Sequence, residues 1–238
     1  MTINRIKRMF KRGNVCVCGV KGSGKDMLLA NVIARRKEDY ISNINYTNDS
    51  RFHKLKFDDI DCGKNTYDDF INGTVKRYEF PFPKGTDVYL SDAGIYLPSQ
   101  YCNELNKKYP HLATYVALSR HTSRANFHVN VQHLGRVYDK IREQSDTYIR
   151  CRFCYVLFGK IVIQGITLYD KYESALNRVK PCKIRVPVTM NDESKQSAKQ
   201  YLDNFYNVHG TVENKLLIYI NKSNYDTHHF EEVLKNGK

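Results

Sequence analysis

The sequence predicts an α/β fold, a mainly parallel β-sheet flanked by helices, and three observations predict it. "NVCVCGV", residues 14–20, is a short β-prone run that breaks into a glycine-rich turn. "KDMLLANVIARRK" follows with helical apolar spacing and a basic end, so the opening reads strand, loop, helix. Two later β-prone runs, "TDVYLSDAG" (86–94) and "NFHVNVQH" (126–133), end in polar residues. Strands that alternate with helices form parallel sheets, whose ligands sit beyond the carboxyl ends of the strands, so the three polar endings are expected to face one crevice.

The other elements follow in order. Residues 1–13 carry Arg5, Lys7, Arg8, Lys11 and Arg12 with no acid, while Ile3, Ile6, Met9 and Phe10 recur at helical spacing. That is an amphipathic lead-in helix with a basic face open to solvent, DNA or a membrane surface. Residues 41–82 are polar, rich in Asn, Asp and Tyr and broken by glycines, which predicts short strands and loops. "YVALSRHTSR" reads as a helix end entering a loop. "FCYVLFGKIVIQGITLY" (153–169) carries Lys160, Gln164 and two glycines, so it reads as two short strands around a turn, and no apolar run is long enough to span a membrane. After Lys180 two prolines and a polar cluster mark a boundary near Val188, followed by a helix from about Asp192 to Tyr206. The division expected is a basic segment 1–13, a main domain 14–187 and a mostly helical appendage 188–238.

A chain of 238 residues that is 41% hydrophobic can fill one core with a small appendage. Its net charge of +13 favours acidic partners: nucleic acid, nucleotide phosphates or an anionic membrane face. Seven cysteines, with no secretory leader and no paired zinc-type clusters, read as reduced thiols. Cys151 and Cys154 form a lone CxxC, and Cys16 and Cys18 read as part of a buried strand. His121, His128 and His133 read as structural or solvated.

The stretch "GVKGSGKDMLLA" has the G-x-x-x-x-G-K spacing of a phosphate loop. Small residues there let backbone N–H groups turn toward phosphates, the following helix offers its positive end, and the lysine bridges the terminal phosphates. Gly19, Gly22, Gly24 and Lys25 supply these parts, and Lys21, Ser23, Asp26 and Met27 complete the phosphate-binding stretch. Where the motif carries a metal-binding hydroxyl this chain has Asp26. A carboxylate suits Mg²⁺, a hard cation, but adds negative charge beside the phosphates, so ATP affinity should depend strongly on the metal.

"GVKGSGKDML", "VYLSDAGIYLPS", "ALSRHTS", "FHVNVQH" and "RVYDKIREQSDTYI", in that order, resemble the Zot-like (zonular occludens toxin-like) assembly ATPases of filamentous phages. These belong with the FtsK and HerA DNA-pumping and packaging ATPases, and the resemblance covers about Asn14 to Asp170. It implies a P-loop NTPase fold of RecA and FtsK-HerA type, ATP and Mg²⁺ as cofactors, and a homo-oligomer such as a hexamer, with DNA and other phage assembly proteins as partners. It also implies action in the cytoplasm of a bacterial host, at the periphery of its inner membrane or on the virion. Family members usually end the second strand in Asp-Glu-Ala; the match puts Ser91 in the place of the metal-holding Asp and Asp92 in that of the water-orienting Glu. Asp26 and Ser91 then look like an exchanged pair around one Mg²⁺. A register in which Asp92 itself is the metal ligand, with no catalytic acid visible, stays open. Gln132 falls where the family has a polar sensor of the γ-phosphate, and Arg120, followed by Arg124 and Arg142, is the candidate arginine finger. The transmembrane anchor usual in the phage members is not visible, and toxin activity has no support in these residues.

The expected function is ATP-driven DNA translocation, packaging or virion assembly. A nucleotide-binding scaffold with weak or no hydrolysis is the alternative, and a small-molecule phosphotransferase the third.

Overall fold

The structure, a computed structural model, describes residues 1–56, 85–109, 112–113, 116–117, 125–182 and 192–223. The first half contains α1 (Ile3–Arg12), β1 (Val15–Cys18), α2 (Lys25–Ile33), β2 (Tyr40–Ser42), β3 (Phe52–Lys54), β4 (Asp87–Leu90), α3 (Ala93–Tyr96) and α4 (Cys102–Lys108). The second contains β5 (Phe127–Val131), α5 (Asp139–Arg142), β6 (Thr147–Leu157), β7 (Ile161–Tyr169), α6 (Tyr172–Leu176), α7 (Asp192–His209) and β8 (Val212–Ile220). All strands join one eight-stranded sheet in the order β3-β2-β4-β5-β1-β6-β7-β8. Pairings from β3 to β6 are parallel, and β6-β7 and β7-β8 are antiparallel. The fold is therefore α/β with a mixed, mostly parallel sheet, as the sequence predicts. Most of the stretch expected to form short strands and loops, and the "ALSRHTS" step, lie outside the described residues.

The central strands are apolar runs because helices cover both their faces. Val15 and Val17 of β1 pack with Ile6 and Phe10 of α1 and with Leu29 and Ile33 of α2, whereas Cys16 and Cys18 enter a second core with Leu90, Val129, Val131 and Leu134. These two cysteines are buried strand residues, and burial pushes the Cys18 thiol up to about 11. The lead-in helix is built as its spacing predicts: Ile3, Ile6 and Phe10 are buried, and Arg5, Arg8 and Arg12 face outward.

At the amino ends of the parallel strands a buried polar cluster ties layers together. Asp87 receives the Asn126 N–H at 2.8 Å, the Arg36 guanidinium and His128 Nε2 at 3.4 Å. His128 Nδ1 accepts the Val15 N–H at 3.2 Å, which leaves the proton on Nε2. His128 is thus structural.

Of the segments set apart in the sequence, α1 in 1–13 and β8 among the described residues 192–223 of 188–238 both pack on this sheet. Leu217 and Tyr219 of β8 share a core with α1 and α2, and the Asn31 amide of α2 bonds Asn221 at 2.9 Å. The physical reason is pairing: β8 runs the length of β7 in unbroken antiparallel register. No described helix is long and apolar enough to cross a membrane.

Candidate nucleotide site

The site is built where β1, β5 and β4 end. Gly19 N–H donates to the Val131 carbonyl at 3.2 Å, which fixes the start of the loop to the end of β5, and Ser23 N–H donates to the Val20 carbonyl at 3.1 Å. Gly22 and Gly24 adopt positive φ of 79° and 85°, a region that favours glycine and lets the chain turn into α2. A Cβ at Gly24 would also come within 2.4 Å of the Cys154 Cβ. The loop is held from behind by β7: the Gln164 amide donates to the Gly24 carbonyl at 2.9 Å and to the Ser23 carbonyl at 3.3 Å, while its oxygen accepts the Tyr219 hydroxyl at 3.0 Å.

Lys25 opens α2 and is 5% exposed; its Nζ lies 3.5 Å from the Val20 carbonyl and makes no ion pair with a described carboxylate. Asp26, the next residue, points across the crevice. Its Oδ1 accepts the Ser91 hydroxyl at 3.0 Å, the Asn130 amide at 2.6 Å and the Tyr46 hydroxyl at 3.4 Å. The Ser91 backbone is fixed in turn by Asn43, which accepts its N–H at 2.8 Å and donates to its carbonyl at 3.0 Å. The topology explains the convergence: β5 lies between β1 and β4, so side chains from β4 and β5 reach the start of α2 side by side.

Two buried polar atoms here lack a partner, Ser23 Oγ and Asn130 Oδ1. Buried polar groups normally have one, so both can take a further partner. Asp92 follows Ser91 with φ 48°. Burial, then the nearby Asp26, raise its carboxyl above the ordinary value against the pull of Lys25. A cavity of about 230 Å³ brings Asp92 together with Gln132 and Arg136 at the strand ends.

The structure therefore brings Gly19, Gly22, Ser23, Gly24, Lys25, Asp26, Ser91 and Asp92 to one crevice. Lys21 is exposed on the loop, and Met27 faces back toward Asn31, accepting its amide at the carbonyl, 3.0 Å. Gln132 lies one residue beyond β5, exposed, beside Asp92. Arg120 and Arg124 lie outside the described residues. Arg142 is turned onto its own chain, donating to the Val137 carbonyl at 2.9 Å with its guanidinium 5.0 Å over the Tyr172 ring.

Sequence reasoning missed Asn130, Gln164 and Arg136. The first two carried a signal: each is the lone amide of a mostly apolar strand, and a buried amide needs partners.

Among the described residues no cluster of three or more His, Cys, Asp or Glu could hold a metal ion. Mg²⁺ beside phosphates needs less: one or two carboxylates, with phosphate oxygens and water completing the shell. Asp26 carries that carboxylate, with the Ser91 hydroxyl bonded to it, and Asn130 of the same cluster has an unpartnered oxygen, so the donor set fits.

Fold and site together define a P-loop architecture: a glycine loop between a parallel strand and a helix, with a lysine and a carboxylate at the helix start. No protein-family model matches the chain, and no curated protein matches it. Among solved structures it is similar to the N-terminal domain of zonular occludens toxin from Neisseria meningitidis, with 13% identity, 92% of this chain and 97% of that one covered, and a TM-score of 0.45. It is also similar to the genome packaging NTPase B204 from Sulfolobus turreted icosahedral virus 2 in complex with AMPPCP, with 16% identity, coverage of 75% and 99%, and a TM-score of 0.41. A third is the cytoplasmic domain of the Thermomonospora curvata type VII secretion ATPase EccC, with 12% identity, coverage of 60% and 21%, and a TM-score of 0.36. Its structural neighbours thus include a Zot domain and a viral packaging NTPase, the groups its motifs resemble. At TM-scores below 0.5 none of these likenesses bears on the chemistry, which is read from this chain's own residues.

Proposed function

We propose that this chain is a P-loop ATPase that moves DNA during virion assembly, acting as a homo-oligomer in a bacterial host. The observation that carries the reading is the 3.0 Å contact between Ser91 Oγ and Asp26 Oδ1 at the mouth of the phosphate loop, beside a Lys25 that has no described carboxylate partner. A carboxylate and a hydroxyl facing each other there are the two metal-side groups such a site requires, each on the element where the other is usual.

In this reading the loop N–H groups and the amino end of α2 receive the phosphates, and Lys25 bridges the terminal ones. Mg²⁺, when bound, would neutralise charge on the β- and γ-phosphate oxygens, held by Asp26 with Ser91. Asp92, its carboxyl raised by burial and by Asp26, orients the attacking water. Asn130 keeps Asp26 in place through its amide N–H. Gln132 serves as the polar sensor beside Asp92, and Arg120 as the arginine supplied to a neighbouring copy. DNA contact is mainly to phosphates, because the chain carries +13 and shows no recognisable base-reading module.

The test is Mg²⁺-dependent ATP turnover with and without DNA. Turnover stimulated by DNA is the expected result. Binding without turnover would instead favour a nucleotide-binding scaffold, a second reading that draws on the exposed position of Gln132, which makes no bond to Asp26. Turnover that requires a small acceptor would favour a phosphotransferase.

A further inference from the structure

One face of β6, β7 and β8 changes character along its length. At the end nearest α6 and α7, Tyr148, Tyr169 and Val212 stand in one cross-strand row and are buried in a core that Phe205 of α7 packs against. A polar row follows, Arg150 with Thr167 and Asn214. Beyond it Phe153 lies across Gly165, next to Leu216. The two outermost rows, Tyr155–Ile163–Ile218 and Leu157–Ile161–Ile220, contain no charged side chain. Phe158 of the β6-β7 turn extends them and is 92% exposed.

This face is open at its outer rows, while the opposite face is covered along β8. Leu217 and Tyr219 point inward, 0% and 5% exposed, whereas Leu216, Ile218 and Ile220 point out at 49%, 59% and 62%. A strand with one wet face alternates apolar and polar residues; β8 is apolar on both over this stretch. A contiguous apolar surface of this kind marks an interaction site.

We propose that this face is where a second copy of this chain docks, the two sheets packing face to face about a two-fold axis. Three observations favour that occupant. The exposed apolar side chains of the face offer roughly 800 Å², the area each partner contributes to a standard stable interface. A net charge of +13 opposes self-association in general, but the two outer rows carry no charged side chain, so a two-fold pair, which presents this same surface from both sides, sets no like charges against each other there. The rim is charged: the Met1 ammonium donates to the Leu216 carbonyl at 3.1 Å, and the Arg35 guanidinium donates to the Ile220 carbonyl. An apolar centre with a wet, charged rim is the anatomy of a protein interface, whereas insertion in a bilayer would strip water from those charges.

The proposal does not depend on ATP chemistry and is tested without nucleotide, by sedimentation equilibrium of the full chain over a wide concentration range. A one-chain mass rising to a two-chain mass is expected. Ile218→Lys, which alters a side chain exposed in the single chain, should restore the one-chain mass, with an unchanged melting curve at concentrations where the unaltered chain is itself single. Should that variant melt lower, Ile218→Thr adds no charge and should weaken association by about tenfold. A one-chain mass for the unaltered chain throughout would overturn the proposal, as would a two-chain or larger mass that persists in both variants. Binding to anionic phospholipid vesicles that Ile218→Lys abolishes, with the chain still at one-chain mass, would assign the face to lipid and equally overturn it.

Discussion

The parallel and antiparallel halves of the sheet solve different problems. From β3 to β1 across the sheet the strands are short, and β1, β4 and β5 are buried at every residue. Their polar side chains gather at the two ends: the Asp87–His128 cluster where the strands begin, and Asp26, Ser91 and Asn130 where they finish. From β6 to β8 the strands are long, with one face closed and the other partly open. Yet this half enters the site too, because Gln164 holds the phosphate loop from behind. The difference teaches that the parallel half supplies the polar groups of the candidate site and the antiparallel half supplies the loop's backing and an open surface.

Changes to the two halves should therefore separate. The largest effect is expected from Leu90→Ala in β4, where the side chain is fully buried; loss of packing should cost about 2–5 kcal/mol of stability, read by denaturant unfolding at a concentration where the chain is single, while Ile218→Ala in β8 should there cost less than about 0.5 kcal/mol. Equal losses at the two positions would erase the contrast. Next comes Lys25→Ala, which should weaken ATP binding by about a hundredfold in calorimetry with little change in melting temperature. Unchanged affinity would remove the phosphate-loop assignment. Gln164→Leu keeps the volume but strips two donors from the loop carbonyls, and should lower ATP affinity by about tenfold while the chain stays folded. If affinity stays at the unaltered level, the antiparallel half plays no part in the site.

The smallest effect concerns pH. Burial lowers the His128 pKa below its ordinary 6.5 despite the bond to Asp87, so the folded chain holds this imidazole neutral where the unfolded chain protonates it. Stability is then fully present above pH 6.5 and falls as pH drops below it, by at most about 1.4 kcal/mol per pH unit. Melting temperatures followed downward from pH 7.5 should decline, and His128→Gln should flatten that decline. A parallel decline in both proteins would place the titrating group elsewhere.

How much of this was legible in the sequence depends on what each residue has to report. The β1, β4 and β5 runs were readable because strands covered on both faces are continuously apolar, and the loop was readable because glycine and lysine recur there at a fixed spacing. The strand β8 was not: apolar inward at Leu217 and Tyr219 and apolar outward at Leu216, Ile218 and Ile220, it lost the period-two pattern that marks a half-buried strand. Asn130 and Gln164 were visible as single amides, but their partners lie 104 and 140 positions away in the chain, and only the strand order brings them together.

The central claim is that Asp26 and Ser91 share one metal-side role at the phosphate loop. Mg²⁺-dependent ATP turnover compared across the unaltered chain, Asp26→Ser, Ser91→Asp and the double variant tests it most directly. Asp26→Ser leaves two hydroxyls and no carboxylate from the pair, and Ser91→Asp crowds two carboxylates beside the phosphates, so each single change should impair turnover. The double variant should recover part of it, because contacting residues are non-additive. A folded double variant no more active than the worse single would contradict the account.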